Sequence, residues 1–286
     1  MESKSKIGFL GSLGSYSHQA ASFLRPEFSA VGFNSFEELV SATESGKVAE
    51  AVLPLENSAS GRIPDVHRLV VSMELFIVRE YLLDVNHCLA VVGPCDENEI
   101  HTIYSHPQGF IQSSRFLAER FPDAAHKTKS DTATAIKEMT EANDRGIAAI
   151  GSVFAADLYS AMVLHKKISN RDDNITRFVL LSPTANLNSK NNMTSMILQV
   201  KHTPGSLVSA LAVFGAHGVN ITKLETYMIS EATNLPTFYL DIGCGSQDEK
   251  LVAAMHEIRQ HVTFSKFLGS YVADTTRSGT NGFLRP

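Results

Sequence analysis

Apolar residues along this chain recur at two spacings, and the switches between them outline its elements. "KIGFLG" (6–11), "VAEAVLPL" (48–55) and "GIAAIGS" (146–152) are short, nearly continuous apolar runs of the length expected for buried strands. Between them lie helical patterns: a segment from about Ser17, "NSFEELVSATESG" (34–46), the second half of "HTIYSHPQGFIQSSRFLAERF" (101–121) and "SDTATAIKEMTEAN" (130–143). The second of these carries a capping box, with Ser35 as N-cap, Glu38 three residues on and Gly46 as the stop. Strand–helix alternation of this kind predicts a mostly parallel α/β sheet, and the shortness of the apolar runs favours two small lobes.

The pattern breaks at "SPTANLNSKNNMT" (182–194), which is polar and asparagine-rich and reads as a linker. Beyond it, "TSMILQVK" is a strand and "TPGSLVSALAVFGAHG" a helix, with Thr203 as N-cap, Pro204 at its first position and Gly218 at its end. "VNITKLETYMI" and "LPTFYLDIG" are strands, "DEKLVAAMHEIRQHV" a helix and "FSKFLGSY" a last strand. This β-α-β-β-α-β order is ferredoxin-like and predicts a small module with an open sheet face or edge, which invites pairing with a second copy. "ADTTRSGTNGFLRP" from Ala273 reads as a frayed tail.

Composition narrows the function classes. At 286 residues, 43% hydrophobic and 19% charged, the chain can bury a core for two domains. A net charge of −5 with interspersed signs argues against nucleic acid as a partner. The cysteines at 88, 95 and 244 form no finger spacing, and the eleven histidines show no HExxH or HxH, so no metal site is implied. The start has no apolar signal core and no stretch approaches the ~18 residues needed to span a bilayer, so the expectation is a cytoplasmic protein with no membrane partner.

Five stretches are candidates for chemistry. "GFLGSLGSYSHQA" (8–20) places glycines and serines between a strand and a helix, which serves as a plain turn or as an anion cradle. Glu56, Asn57 and Ser58 end a strand, where open α/β sheets bind ligands, and the same serines could cap a helix. Ser105-His106-Pro107-Gln108 is itself a capping box, and "KSDTATA" is a helix start from Ser130 or Asp131. In "DDNITRFVLLSP" (172–183), strand alternation points Thr176 and Phe178 one way and Ile175, Arg177 and Val179 the other. Arg177 among apolar neighbours needs a partner, with Asp172 or Asp173 the nearest.

Taken in register, these motifs resemble the prephenate dehydratase family from about residue 6 to 273. "GSLGSYSHQA", "LPLENSASG", "SHPQ" and "NITRFVLLS" are similar to that family's glycine-rich loop, its Glu-Asn-Ser segment, its Ser-His-Pro-Gln and its Thr-Arg-Phe signature. The C-terminal module resembles an ACT domain. The resemblance implies an α/β fold: a two-lobed, periplasmic-binding-protein-like catalytic domain plus a ferredoxin-like βαββαβ ACT domain. The catalytic domain would span 1–182, with lobe 1 at about 1–80 and 168–182 and lobe 2 at about 81–167. The chain would cross between lobes near 78–84 and return near 165–172. A linker at 183–193, the ACT domain at 194–273 and a flexible tail at 274–286 would follow.

The implied reaction turns prephenate into phenylpyruvate with loss of carbon dioxide and water, without a cofactor. Carried over by motif, Thr176, Arg177 and Phe178 are the expected catalytic residues. Thr176 would donate a hydrogen bond to the departing hydroxyl, and Arg177 would be the bidentate partner of a substrate carboxylate. Ser15, Tyr16, Ser17, Glu56, Asn57, Ser58, Ser105, His106, Gln108, Ser130 and Thr132 are the expected substrate-binding set. The ACT resemblance implies L-phenylalanine as effector at the interface of a homodimer or homotetramer. The effector set is Pro204, Gly205, Ser206, Leu207, Val208, Asn220, Ile221, Glu225 and Thr226. Here Thr226-Tyr227-Met228 stands where the family has Ser-Arg-Pro, which leaves the effector open. Two other readings are arogenate dehydratase on the same scaffold and a non-catalytic two-lobed anion sensor.

Overall fold

The structure is a computed structural model that describes residues 4–227 and 236–276. Its first part runs β1 (Lys6–Leu10), α1 (Tyr16–Leu24), β2 (Ser29–Phe33), α2 (Phe36–Glu44), β3 (Glu50–Asn57), β4 (Gly61–Arg62), α3 (Pro64–Ser72) and β5 (Phe76–Asp84). A second set follows: β6 (Cys88–Val91), β7 (Thr102–Ser105), α4 (Pro107–Gln112), α5 (Ser114–Arg120), β8 (Ala125–Thr128), α6 (Thr132–Ala142), β9 (Ile147–Gly151), α7 (Val153–Leu158) and β10 (Met162–His165). Strand β11 (Ile175–Ser182) leads to the last six elements: β12 (Met193–Gln199), α8 (Ser206–Ala216), β13 (Ile221–Tyr227), β14 (Thr237–Ile242), α9 (Glu249–Glu257) and β15 (Phe264–Tyr271).

Three sheets organise these elements. The first has the order β2-β1-β3-β11-β5, with β4 on β3, and the second β10-β6-β9-β7-β8. The third, β13-β14-β12-β15, is the ferredoxin-like order that its βαββαβ sequence requires. The first two sheets are mixed: β11 runs antiparallel to both β3 and β5, and β6 antiparallel to β9 and β10. Chain crossing explains this departure from a mostly parallel expectation, because β11 returns from the second lobe to fill the gap between β3 and β5. Pairing with β11 holds β5 extended to Asp84, so the outward crossing falls at residues 85–87 and the return at 166–174. Met193 already belongs to β12.

Local caps match the sequence in part. The Ser35 hydroxyl accepts from the Glu38 N–H at 3.1 Å, and Asp131 accepts from the N–H groups of Ala133 and Thr134 at 2.8 Å each. Helix α1 starts at Tyr16 with Ser15 as its cap. The cap of α4 is His106, whose Nδ1 accepts from the Gln108 N–H, not Ser105. Helix α8 begins at Ser206, after Gly205 at φ +84°, because Thr203 turns its hydroxyl to the Ser206 side chain at 2.6 Å.

The third sheet's face opposite α8 and α9 is not open. It packs on the first lobe, where Leu53, Leu55, Val179 and Leu181 share a core with Met193, Ile197, Tyr239, Leu268 and Tyr271. Edge strand β15 also meets β5 and the end of α3, where Lys266 Nζ donates to the carbonyls of Val71 and Met73 at 2.8 and 2.6 Å. Gly269, at φ +150°, leaves no room for a side chain, since a Cβ there would lie 2.0 Å from the Ile77 carbonyl oxygen. Residues 273–276 are not frayed either. The Ala273 N–H donates to Asn192, the Asp274 N–H donates to Glu80, and Asp274 accepts from the Leu82 N–H at 3.0 Å. Residues 277–286 of the expected tail and Met228 lie outside the described residues.

Candidate active site

Register on β11 decides what its side chains can do. Thr176 lies opposite Asn57 on β3 and Arg177 opposite Glu56, with a register shift just after Arg177. Thr176 and Arg177 therefore face opposite sides of the sheet. On the Thr176 side, Asn57 Nδ2 donates to Thr176 Oγ1 at 2.9 Å and to Asn174 Oδ1 at 2.7 Å. Asn57 Oδ1 accepts from the N–H groups of Ala59 and Ser60 and from the Ser60 hydroxyl, which fixes the amide's orientation. Thr176 Oγ1 is thus an acceptor, and among the described residues its own proton has no acceptor. Ser58 ties the strand end down: its hydroxyl donates to the Asp173 carbonyl and accepts from the Ile175 N–H.

Asn174 lines a cavity of about 190 Å³ between the lobes, together with Ala59 and, from the other side, Gln112, Ser169, Asn170 and Arg171. Gln112 is held by a buried chain from the first lobe. The Tyr16 hydroxyl lies 3.0 Å from His87 Nδ1, and His87 Nε2 lies 2.7 Å from Gln112 Oε1. Burial lowers the His87 pKa and raises that of Tyr16, so both are neutral, with Nε2–H donating to Gln112. The glycine-rich loop bridges the lobes above. Ser12 Oγ donates to Asp131 Oδ2 at 2.9 Å, the Tyr159 hydroxyl donates to the Leu13 carbonyl, and Gly14 packs against Ala133 and Ala155.

Arg177 turns away from the cleft, against the expectation that it faces a substrate carboxylate. Its side chain is 0% exposed and faces the third sheet: Nε donates to Glu80 at 2.8 Å, Nη1 to Glu56 at 3.1 Å and Asp241 at 2.6 Å, and Nη2 to the Tyr271 hydroxyl at 2.7 Å. Burial works against its charge, but Asp241, Tyr271, Tyr239 and Glu80 outweigh it and hold the guanidinium's pKa well above its ordinary value. Glu56 shares that buried side, bonded also to Lys223, and so is turned away from the cleft. The expected Asp172 or Asp173 partner is absent because Asp173 pairs with Arg171. Phe178, 2% exposed, packs with Ile7, Phe9 and Leu24 in the core under α1. Ser105 is 0% exposed and bonded to the Ile150 carbonyl beneath Gly109, so its hydroxyl cannot reach a ligand.

The structure brings Asn57, Ser58 and Thr176 together. Ser15 is occupied as the cap of α1, and Ser17 is half-buried in its first turn. His106 caps α4, while Gln108 and Ser130 are exposed and Thr132 opens α6. Sequence reasoning missed Asn174, although it stands two residues before Thr176, and it missed Ser12, Asp131 and Gln112, which only the lobe crossing brings near. In the module, Pro204, Val208 and Asn220 are exposed, Ser206 and Ile221 half-buried, and Leu207 packs on its core. Glu225 pairs with Lys223, and the Thr226 carbonyl accepts from Arg62. Among the described residues, no group of three or more His, Cys, Asp or Glu is placed to hold a metal ion, and no helix is long and apolar enough to cross a membrane.

Two mixed α/β lobes around an amide-lined cleft, closed by a ferredoxin-like module, define a two-lobed small-molecule protein with an appended sensor-type fold. The family model described as prephenate dehydratase matches residues 7–186. A bifunctional chorismate mutase/prephenate dehydratase from Enterobacter agglomerans is 35% identical over 94% of this chain and 71% of its own. Arogenate dehydratase/prephenate dehydratase 2, chloroplastic, from Arabidopsis thaliana is 31% identical over 96% of this chain and 74% of its own. Among solved structures, one titled as a novel type of quorum quenching acylase aligns with TM-score 0.85 at 29% identity, covering 94% of this chain and 98% of its own. Prephenate dehydratase from Arthrobacter aurescens in complex with L-Phe aligns with TM-score 0.81 at 22% identity, covering 93% and 90%. This chain belongs to the prephenate dehydratase family, and it is a dehydratase.

Proposed function

We propose that prephenate reacts in the cavity beside Asn57 and Asn174, with Thr176 as the catalytic proton donor. The ring carboxylate leaves as carbon dioxide, and its bonding pair becomes a ring double bond. The pair displaced at the far end of the ring leaves with the hydroxyl, which takes up one proton to become water. Aromatisation drives the step, so the protein has to orient the ring and stabilise the departing oxygen. A positioned donor is typically worth ~10²–10⁴-fold. The observation that carries this reading is the direction of the Asn57 bond. Because Asn57 donates to Thr176 Oγ1, the threonine proton is left to point at a ligand, and accepting that bond strengthens its own donation. With Arg177 engaged elsewhere, the amide of Asn174 and the guanidinium nitrogen of Arg171 that its pairing with Asp173 does not use are donors at the cavity for the two carboxylates.

An amidohydrolase reading, prompted by the acylase likeness, needs a nucleophile beside a base. The Thr176 oxygen accepts from an amide and, among the described residues, has no such base at hydrogen-bond distance. The Arabidopsis relative's name keeps arogenate as a second substrate. By analogy with the Arthrobacter structure, L-phenylalanine is the proposed effector of the ACT-like module, with a homodimer or homotetramer formed there; the exposed Val208 and Leu224 support a pairing surface. A cytoplasmic site fits the bacterial relatives. The test is phenylpyruvate formation by the purified chain from prephenate, with arogenate in parallel and phenylalanine titrated in. Turnover of prephenate with a higher kcat/KM than arogenate supports the reading, and turnover of neither removes it.

A further inference from the structure

We propose that Asp241 and Tyr271, on the βαββαβ module, are positioning residues for the dehydratase reaction, acting through Arg177 on the strand that carries Thr176. The inference rests on Thr176 being the reacting hydroxyl. Arg177 and Thr176 are consecutive, and so are their cross-strand partners Glu56 and Asn57. One pair faces the cleft and the other faces the module, so the two faces share one stretch of backbone. On the module side, Asp241 Oδ2 and the Tyr271 hydroxyl take two of the guanidinium's nitrogens, while Glu80 and Glu56 from the first lobe complete the set. Asp241 is itself fixed, since its Oδ1 accepts from Ser195 at 2.5 Å and Tyr239 at 2.8 Å. Ser195 is also 2.7 Å from the Tyr271 hydroxyl. Lys223, from the module's edge strand, reaches the carboxylate of Glu56.

Every member of this network is fully buried or nearly so, apart from partly buried Lys223. A planar guanidinium held by four acceptors in such a setting allows little rotation, and β11 is pinned where its pairing with β3 changes register. A shift of the module relative to the first lobe therefore moves the Arg177 backbone, and with it Thr176 Oγ1 relative to Asn57. Misplacing a reacting group by about 1 Å costs on the order of 10²-fold in rate. The chemistry thus depends on two side chains that never touch substrate.

The experiment compares Asp241→Asn, Tyr271→Phe and Thr176→Ala by kcat, KM and thermal midpoint on prephenate. Asp241→Asn keeps the shape and the Ser195 and Tyr239 contacts, and is expected to lower kcat by ~10-fold or more with KM within ~twofold. Tyr271→Phe, which removes one neutral hydroxyl, is expected to lower kcat by about threefold. A lowered melting point with unchanged kcat in both variants would make the network a structural clamp only and overturn the proposal. If Asp241→Asn does not fold, the Tyr271→Phe kcat decides in the same way. Full activity of Thr176→Ala would instead sink the catalytic reading, whatever the other variants do.

Discussion

Replacing Arg177 with methionine tests the energetics of the joint between lobe and module. The side chain is 0% exposed and forms ion pairs with three carboxylates, of which Glu80 and Asp241 are 0% exposed and Glu56 6%. Methionine fills a similar volume but leaves those carboxylates in a dry site without the guanidinium's charge, while Lys223 stays beside Glu56. Removing one partner of a buried ion cluster costs about 3–5 kcal/mol, because the remaining charges stay desolvated. At about 2–4 °C per kcal/mol for a chain of this size, the thermal midpoint should fall by roughly 6–20 °C. Arg177→Lys keeps the charge but loses the fork to four acceptors, and should fall between wild type and methionine. Differential scanning calorimetry at pH 7 reads both. A methionine variant melting within about 2 °C of wild type would refute the dry, charged joint.

Three further outcomes follow from particular contacts. His67 is buried with Nε2 on the Leu55 carbonyl, and desolvation lowers its pKa from 6.5 to about 4. A base with a depressed folded pKa contributes stability fully above its unfolded pKa and loses it as pH falls. Between pH 7 and pH 5 that loss is about 2 kcal/mol, and His67→Gln should lessen the decline in urea unfolding; an unaltered decline would contradict the assignment. Burial lowers the pKa values of His18 and His87 too, so they add in the same direction. Gly269→Ala places a Cβ 2.0 Å from the Ile77 carbonyl oxygen, so the module should undock in part: protease cleavage within residues 183–192 should rise, and wild-type resistance would count against the packing. Asn57→Ala removes the donor that orients Thr176, and its kcat should fall by ~10-fold or more; an unchanged kcat would show that the hydroxyl needs no such partner.

The sequence was most informative where local physics decides. Periodicity outlined the strands and helices, Ser35 and the Ser130–Asp131 pair marked helix starts, and β-α-β-β-α-β order sufficed for the third sheet's topology. The Thr-Arg-Phe stretch also carried its own warning, since strand alternation separates Thr176 from Arg177. What could not be read was the partner of Arg177. Glu80, Asp241 and Tyr271 lie far along the chain and meet it only because the module covers the first lobe's sheet. Ser105 misled for a related reason: a serine before His-Pro-Gln looks like an exposed cap, yet the close approach of Gly109 seals it inside the second lobe. Asn174 lacked only a reason to be chosen, and the Asn57 side chain supplies it.

The most direct test of the account is the turnover number of Thr176→Val on prephenate beside that of Thr176→Ser. Valine keeps the shape and removes the proton, so kcat should drop by ~10²–10⁴-fold with KM little changed, while serine should retain most of the rate. A valine variant within about tenfold of wild type would contradict the assignment of the leaving hydroxyl's donor to Thr176.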